Sequence, residues 1–481
     1  MLSKTTLGTI TAVFTLAIAF PGCSDDKEPS PSGNDAGTSY DSTGTVDSSP
    51  PDATPSDTPS SIDAEPDASS GSDAPSTPDA HLDTADGRTT EAGAPDGTAA
   101  DGEAGAAPPK ASSCSIVTDK KTPIPEPAGR LVYCGIDIGS KNVKISVVSM
   151  ERGKPGTVKD ERQCKRNLGL GTLVFDSGTN TAAPLSEEYI GYLIDTVKEF
   201  QTICALDKGT LLGADATHWA RDATNIQDVV AKVKAGTGLG IDVLTGEQEG
   251  KYGYVAATLD SAGHISLDPG SNSFQISWRL NGTTDIGTVS VPLGYVRAST
   301  NDIEPAADYA TGRTAYVADA TQQLGDALGK LAPPTTLAAI KQLVTDGKLG
   351  KEIIAVGQDG AVDLVVRNKL KDMSGTWISD QKAYDDLVAA QVFKVDPTYG
   401  TITSDPIVPG ELTSFLASVS ATDFAALKKE PTRTIYGQKG LVVPALLDML
   451  TTQLGLDKVV LVPQEMVTGY ILGHLPPVSD F

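Results

Sequence analysis

The chain has 481 residues, more than one ordinary domain, with 62 acidic against 38 basic side chains and a formal net charge of −24. No basic run offsets that charge, which excludes a nucleic-acid partner, because phosphate-backbone contacts need clustered Lys and Arg. Only four histidines occur, none paired at metal-ligand spacing, and there is no Cys-x-x-Cys, so a zinc site is excluded as well.

The first predicted element is a signal peptide over 1–23. Lys4 gives a positive start, Leu7 to Phe20 an apolar run, and Gly22 precedes Cys23 at a lipobox-like cleavage site. Phe20 and Pro21 depart from the usual residues of that box. Acylated Cys23 would tether the chain to a membrane, each buried methylene adding about 0.8 kcal/mol. The expected location is the bacterial cell envelope, a lipoprotein anchored to a membrane and facing outside the cytoplasm. From 24 to 112 Ser, Pro, Asp, Thr, Gly and Ala dominate. This segment holds 19 acidic and three basic residues, a net −16 of the chain's −24; with Lys4 set aside, the remainder carries −9. It has too few apolar side chains to offset the entropy of ordering, and predicts a disordered, self-repelling stalk.

Four cysteines follow, Cys114, Cys134, Cys164 and Cys204. An even number in an exported chain predicts disulfides, and all three connectivities stand open. "RLVYCGIDIGSKNVKISVVSM" predicts a strand, a turn at Gly139-Ser140-Lys141, and a second strand. "SEEYIGYLIDTVKEFQTI" predicts a helix capped by Ser186, "GTLLGADAT" a strand, "NIQDVVAKVKAGTG" a helix closed by glycine, and "IDVLTG" a strand. "GEQEGKYGYVAATL" then reads as a helix leading into "HISLDPGSNSFQISW", which repeats the opening plan of strand, Asp-x-Gly-Ser turn, strand. "KEIIAVG", "GLVVPALLDMLTTQLG", "KVVLVP" and "QEMVTGYILGHL" close the chain as strand, helix, strand and helix. The expectation is a first lobe over 113–257 and a second lobe over 258–481 with insertions. Such duplicated lobes with facing Asp-x-Gly turns resemble the actin-like ATPase architecture. The fold class is thus α/β, a two-lobed actin-like (ribonuclease H-like) duplicated fold after the stalk. A single open sheet with an accidental repeat is the alternative.

Four stretches in order resemble the exopolyphosphatase/guanosine pentaphosphate phosphatase (Ppx/GppA) family. "IDIGSKNVKISVV" is similar to its first phosphate loop. "ATHWARDATNIQDVVAKVKAGTGLGIDVLTGEQEGKYGYVAAT" is similar to its A-T-x-A-x-R-D-A…S-G-E-E-E-A segment. "ISLDPGSNSFQISW" with "VSVPLGYVRAST" resembles its second loop, and "IIAVGQDGAVDLVV" weakly resembles a later segment. The resemblance implies Glu249 as the base that activates water, which must approach to about 3 Å. It implies Arg221 on the phosphate chain, where its fork of donors suits phosphate oxygens. Gly139, Ser140, Lys141, Gly270, Ser271 and Ser273 are implied as phosphate-binding loop residues. Asp137 and Asp268 are implied beside the phosphates and the water shell of a Mg²⁺ cofactor.

The departures from the pattern bear on activity. Lys141 and Asn142 replace Asn and Ser of the first loop, and Lys141 either binds phosphate or fills its pocket. In the second loop Pro269 removes an N–H donor, and Ser271 and Asn272 add Cβ atoms where close approach is usual. Phe274 replaces a hydroxyl, and Gln275 replaces the glutamate associated with metal. Gln358, Asp359 and Ala361 stand where Gly, Gly and Thr are expected. His218 and Trp219 read as packing residues, and Arg297 as a structural residue of the second lobe. Two functions stand. One is an extracytoplasmic, lipid-anchored phosphohydrolase acting on a polyanionic phosphate substrate by water attack on its terminal phosphoryl group. The other is a catalytically impaired member serving as a surface binding or scaffold lipoprotein. An actin-like ATPase or sugar kinase is weaker, lacking a convincing adenosine pocket. The oligomeric state stays open.

Overall fold

The computed structural model describes residues 112–115, 123, 129–152, 154–176, 181–357 and 361–475, the last with gaps at 368, 370, 372–373, 381–382, 384–393, 396–401, 404 and 430–431. The signal peptide with Cys23, nearly all of the stalk, Gln358 and Asp359 lie outside the described residues. All described residues belong to one compact unit, 94–481. Among them no helix is long and apolar enough to cross a membrane.

Two sheets form the body. The first joins β1 (Ser113–Ser115), β2 (Arg130–Ile138), β3 (Asn142–Glu151), β4 (Lys159–Asn167), β5 (Thr210–Ala216) and β6 (Ile241–Val243) in the order β1-β4-β3-β2-β5-β6. The second joins β7 (His264–Pro269), β8 (Phe274–Arg279), β9 (Gly287–Val291), β10 (Glu352–Ala355) and β11 (Lys458–Leu461) in the order β9-β8-β7-β10-β11. Without β1 the two orders coincide, and so do the directions: two antiparallel ladders followed by two parallel ones. Each sheet has its own apolar core. This is the two-lobed actin-like duplication, and the single-sheet alternative is excluded.

The helices form where their sequences dictate. Ser186 caps α1 (Glu187–Leu206) by accepting the Tyr189 N–H, and α1 buries Leu193, Val197 and Phe200 in the first core. α2 (Ile226–Thr237) ends at Gly238, whose φ of 76° is open to a residue without Cβ. α3 (Gly246–Thr258) starts in a full capping box, the Thr245 and Gln248 side chains each meeting the other's backbone. The expected lobe boundary places α3 in the first lobe, yet it lies on β7, β8 and β9 of the second. Its glycines explain that: Cβ atoms at Gly246 and Gly250 would collide with Ser290 and Thr288. α4 (Tyr309–Gly329) and α5 (Gln438–Leu454) cover the second core, and α6 (Met466–Gly473) returns to pack on α3 and β2.

β4 was not anticipated. "KDERQCKRN" turns Asp160, Arg162, Cys164 and Arg166 inward, so it lacks the apolar alternation of a half-buried strand. Each inward group has a partner: fully buried Arg162 pairs with Asp207 at 2.9 Å, and Arg166 donates to Thr196 at 3.0 Å. Asp160 accepts from Thr468 at 3.5 Å. The open connectivity resolves to Cys114–Cys164 and Cys134–Cys204. The first staples edge strand β1 to β4, and the second ties β2 to the end of α1.

Candidate active site

The two Asp-x-Gly corners end the central strands β2 and β7 and line one pocket between the lobes. They are built alike. A Cβ on Gly139 would lie 2.9 Å from the Asn142 carbonyl oxygen, and one on Gly270 would lie 2.7 Å from that of Ser273. Glycine is therefore required by close backbone approach across each turn. The Gly139 N–H closes its own turn onto Asn142 O at 3.0 Å, and that of Gly270 bonds to Asp268 O at 3.2 Å. These two amides, expected on the phosphate, are thus used internally. Among the described residues, the N–H groups of Ser140, Lys141, Ser271 and Asn272 have no backbone acceptor, and all four residues line the pocket. Three of these four, Ser140, Lys141 and Ser271, belong to the expected loop residues, and Asn272 joins them.

Each loop is buttressed from behind. Ser140 O accepts from Gly171 at 2.8 Å, and Lys141 O from Leu168 and Gly169 at 3.1 and 3.0 Å. Gly270 O and Ser271 O accept from Tyr295 and Val296 at 3.0 and 2.9 Å. That is what "PLGYVR" does: Gly294 lacks the Cβ that would strike the Ser271 carbonyl carbon at 2.3 Å. Arg297 lies over the Phe175 ring, 5.7 Å from its centroid, a contact with the first lobe rather than within the second. The loops also meet, since a Cβ on Gly171 would stand 2.5 Å from Asn272 Nδ2 and 2.8 Å from Ser140 Cβ.

α3 delivers Glu249 to the pocket, buried at 7% exposure. Burial pushes its carboxyl above the ordinary value, and Arg221 opposes that from 3.0 Å. Arg221 also donates to Leu244 O at 2.7 Å and does not line the pocket. Arg221 thus holds Glu249 by its Oε2.

Acid surrounds Glu249. Burial pushes Asp137 up to about 7, with Glu465 and Glu249 adding to the effect and Lys144 opposing it. Burial, then Glu249, pushes Asp268 up to about 8, against Lys144. Lys165, Lys144, Asp137, Asp215 and Asp242 are successive cross-strand neighbours on β4, β3, β2, β5 and β6, one charged rung across the first sheet. Asp215 is fully buried with neither oxygen hydrogen-bonded, and burial plus Asp137 holds it well above the carboxylate range. No three His, Cys, Asp or Glu side chains among the described residues group closely enough to ligate a metal directly.

Of the expected site residues, Glu249, Asp137, Asp268, Gly139, Ser140, Lys141, Gly270, Ser271 and Ser273 come together around the pocket. Arg221 stands behind it, and Cys23 is outside the described residues. Trp219 is fully buried and donates to Ile138 O, as a packing residue should. His218 is not confined to packing. It lines the pocket and contacts Asp222 at 3.2 Å. Gln275 is buried, donating to Ser273 Oγ at 2.9 Å and Ser290 Oγ at 3.1 Å, and Phe274 has joined the second core. Lys144, Tyr295, Lys439 and Glu465 line the pocket without having been singled out. Lys144 had a signal, as the cation in the first loop's second strand, whereas Lys439 and Glu465 lie far along the chain in unlike surroundings.

Comparison with known proteins agrees with this geometry. Residues 165–308 match the model of the Ppx/GppA phosphatase family. Exopolyphosphatase 1 of Mycobacterium bovis is 31% identical over 163 residues, 33% of this chain and 45% of that protein. Retrograde regulation protein 2 of Saccharomyces cerevisiae is 29% identical over 170 residues, 33% of this chain and 28% of that protein. The chain thus matches less than half the length of these curated relatives. The crystal structure of an exopolyphosphatase-like protein superposes with a TM-score of 0.50 at 16% identity, covering 72% of this chain and 98% of that one, a likeness of fold.

Proposed function

We propose that the cleft hydrolyses the terminal phosphoanhydride of a polyphosphate-type chain, outside the cytoplasm and from a lipid anchor at Cys23. One observation carries the hydrolysis: Glu249 is buried at the pocket formed by the two matched Asp-x-Gly corners, with one carboxylate oxygen held by Arg221. A water on the other oxygen gives up a proton to Glu249 as its own oxygen bonds the terminal phosphorus. The bridging P–O bond breaks, and the shortened chain keeps the bonding electrons as a new terminal phosphate oxygen. The N–H groups of Ser140, Lys141, Ser271 and Asn272, with Lys144, face the charge spread over the equatorial oxygens.

The donor set fits a hydrated Mg²⁺. Asp137 Oδ1 is buried without a hydrogen-bond partner, and Asp137 and Asp268 are pushed toward neutrality by burial and neighbouring negative charge. Such undercompensated oxygen donors suit a hard cation that keeps most of its water. Asp137 and Asp268 would hold it, and it would neutralise charge on the phosphate oxygens.

A second reading, binding without turnover, is favoured by Gln275, which is buried behind Ser273 and does not line the pocket. Orthophosphate release from long-chain polyphosphate by the purified protein, with Mg²⁺ and after chelation, separates the two. Mg²⁺-dependent release supports hydrolysis. Binding without release at every chain length supports the second reading.

A further inference from the structure

Lys144 Nζ lies 2.7 Å from Glu465 Oε2 and 3.8 Å from Asp137 Oδ2. Lys144 belongs to β3 of the first sheet, and Glu465 to the turn between β11 of the second sheet and α6. The pair therefore spans the cleft, and both residues line the phosphate pocket, each side chain about a quarter exposed to it. The fold builds a seat for this carboxylate. Gly357 has φ of +67°, donates to Gln464 O at 2.7 Å, and a Cβ there would stand 3.1 Å from Glu465 Oε2. Lys439 Nζ donates to the Gly357 carbonyl at 3.1 Å, bringing a second ammonium beside the seat. Both partners are charged. Burial works against the Lys144 ammonium, but Glu465 and Asp137 hold it above its ordinary value. Burial likewise works against the Glu465 carboxylate, but Lys144 and Lys439 hold it below.

We propose that Glu465 is a specificity-determining residue: its carboxylate occupies Lys144 as an internal substitute for substrate, and only a multiply charged phosphate chain displaces it. This rests on the phosphate-chain reading of the cleft. Coulomb attraction falls with distance, so Glu465 at 2.7 Å outweighs Asp137 at 3.8 Å as the competitor for Lys144. A single phosphate must win the ammonium from a carboxylate already seated at hydrogen-bond distance. A chain of phosphates also meets Lys141 and Lys439 in the same pocket, and so depends less on Lys144. Removing the charge at Glu465 therefore helps the single phosphate more than the chain, and discrimination narrows.

The test is calorimetric titration of orthophosphate and tripolyphosphate into full-length Glu249→Gln protein, with and without Glu465→Gln, so that turnover cannot interfere. Glu465→Gln is expected to tighten orthophosphate about tenfold and tripolyphosphate about threefold or less. Glu465→Asp, which keeps the charge, is expected to stay near the parent. With Glu249 intact, Glu465→Gln lowers KM. Equal tightening, or none, overturns the proposal. Weakening of both ligands overturns it too, since that marks a pair that merely holds the lobes together. Binding of neither ligand to any variant likewise overturns it. Selective tightening in a protein that never releases phosphate leaves this inference standing and removes the hydrolase reading alone.

Discussion

Gly250→Ala tests how α3 aims the base. A methyl there would stand 2.3 Å from Thr288 Cγ2, 3.0 Å from Ser277 Oγ and 3.1 Å from Gln275 Cβ. Carbon atoms pack at about 3.5–4.0 Å, so α3 or β9 must yield by about 1 Å, and a β-branched Thr on a strand turns reluctantly. Overpacking of this kind costs about 1–3 kcal/mol, against about 1 kcal/mol gained by replacing a helical glycine with alanine. The net effect is destabilising. Gly325 on α4, with nothing within 4 Å of an added Cβ, is the control, and Gly325→Ala stabilises by up to about 1 kcal/mol. Because Glu249 precedes Gly250, a shift of about 1 Å displaces the base, and kcat falls about 10–100-fold. Urea unfolding and initial rates of orthophosphate release measure both effects. Thr288→Ser deletes the offending Cγ2 and restores part of each loss in the double variant. A Gly250→Ala protein as stable as Gly325→Ala and fully active would refute the claim that this contact sets the position of α3.

Arg221→Gln removes the group opposing the burial effect on Glu249. Its carboxyl then rises further, so the acid limb of kcat/KM against pH moves upward; an unmoved limb contradicts the pairing. Asp160 is buried and pushed up to about 6, first by burial. The unfolded chain releases that proton near pH 4 and the folded one near 6, so the Asp160 contribution to stability declines as pH rises across this window and is flat above it. Asp160→Asn removes a decline on the order of 3 kcal/mol, read from urea midpoints at pH 4 to 8. An identical decline in the variant would show that Asp160 is not its source. Thiol counting on denatured, unreduced protein is expected to find none of Cys114, Cys134, Cys164 and Cys204 free. Reducing Cys134–Cys204, which closes a separation of 70 residues, costs roughly 4 kcal/mol in the chain-entropy account. Free thiols before reduction would remove that pairing.

Much of this architecture is legible where local patterns agree with the tertiary result. The strands at Asp137 and Asp268 are apolar runs closed by glycine turns, and α1, α2 and α5 carry helical periodicity with Ser or Gly at an end. β4 escapes because its inward side is charged and its partners, Asp207, Thr196 and Thr468, lie far along the chain. The family resemblance points to Glu249 and to both acidic corners, and all three line the pocket. What the motif could not convey is direction. Arg221 faces Glu249, the glycine amides close their own turns, and Asp215 becomes a neighbour of Asp137 only through β2–β5 register. Glu465 reaches the pocket from the end of the second sheet, 321 residues from Lys144, a distance no local pattern spans.

Replacing Glu249 by glutamine keeps the shape and the Arg221 contact but leaves no acceptor for the proton of water. Orthophosphate release from polyphosphate should fall about 10²–10⁴-fold while tripolyphosphate still binds within about threefold of the parent affinity. Release at the parent rate from the Glu249→Gln protein would place the chemistry elsewhere and contradict the account.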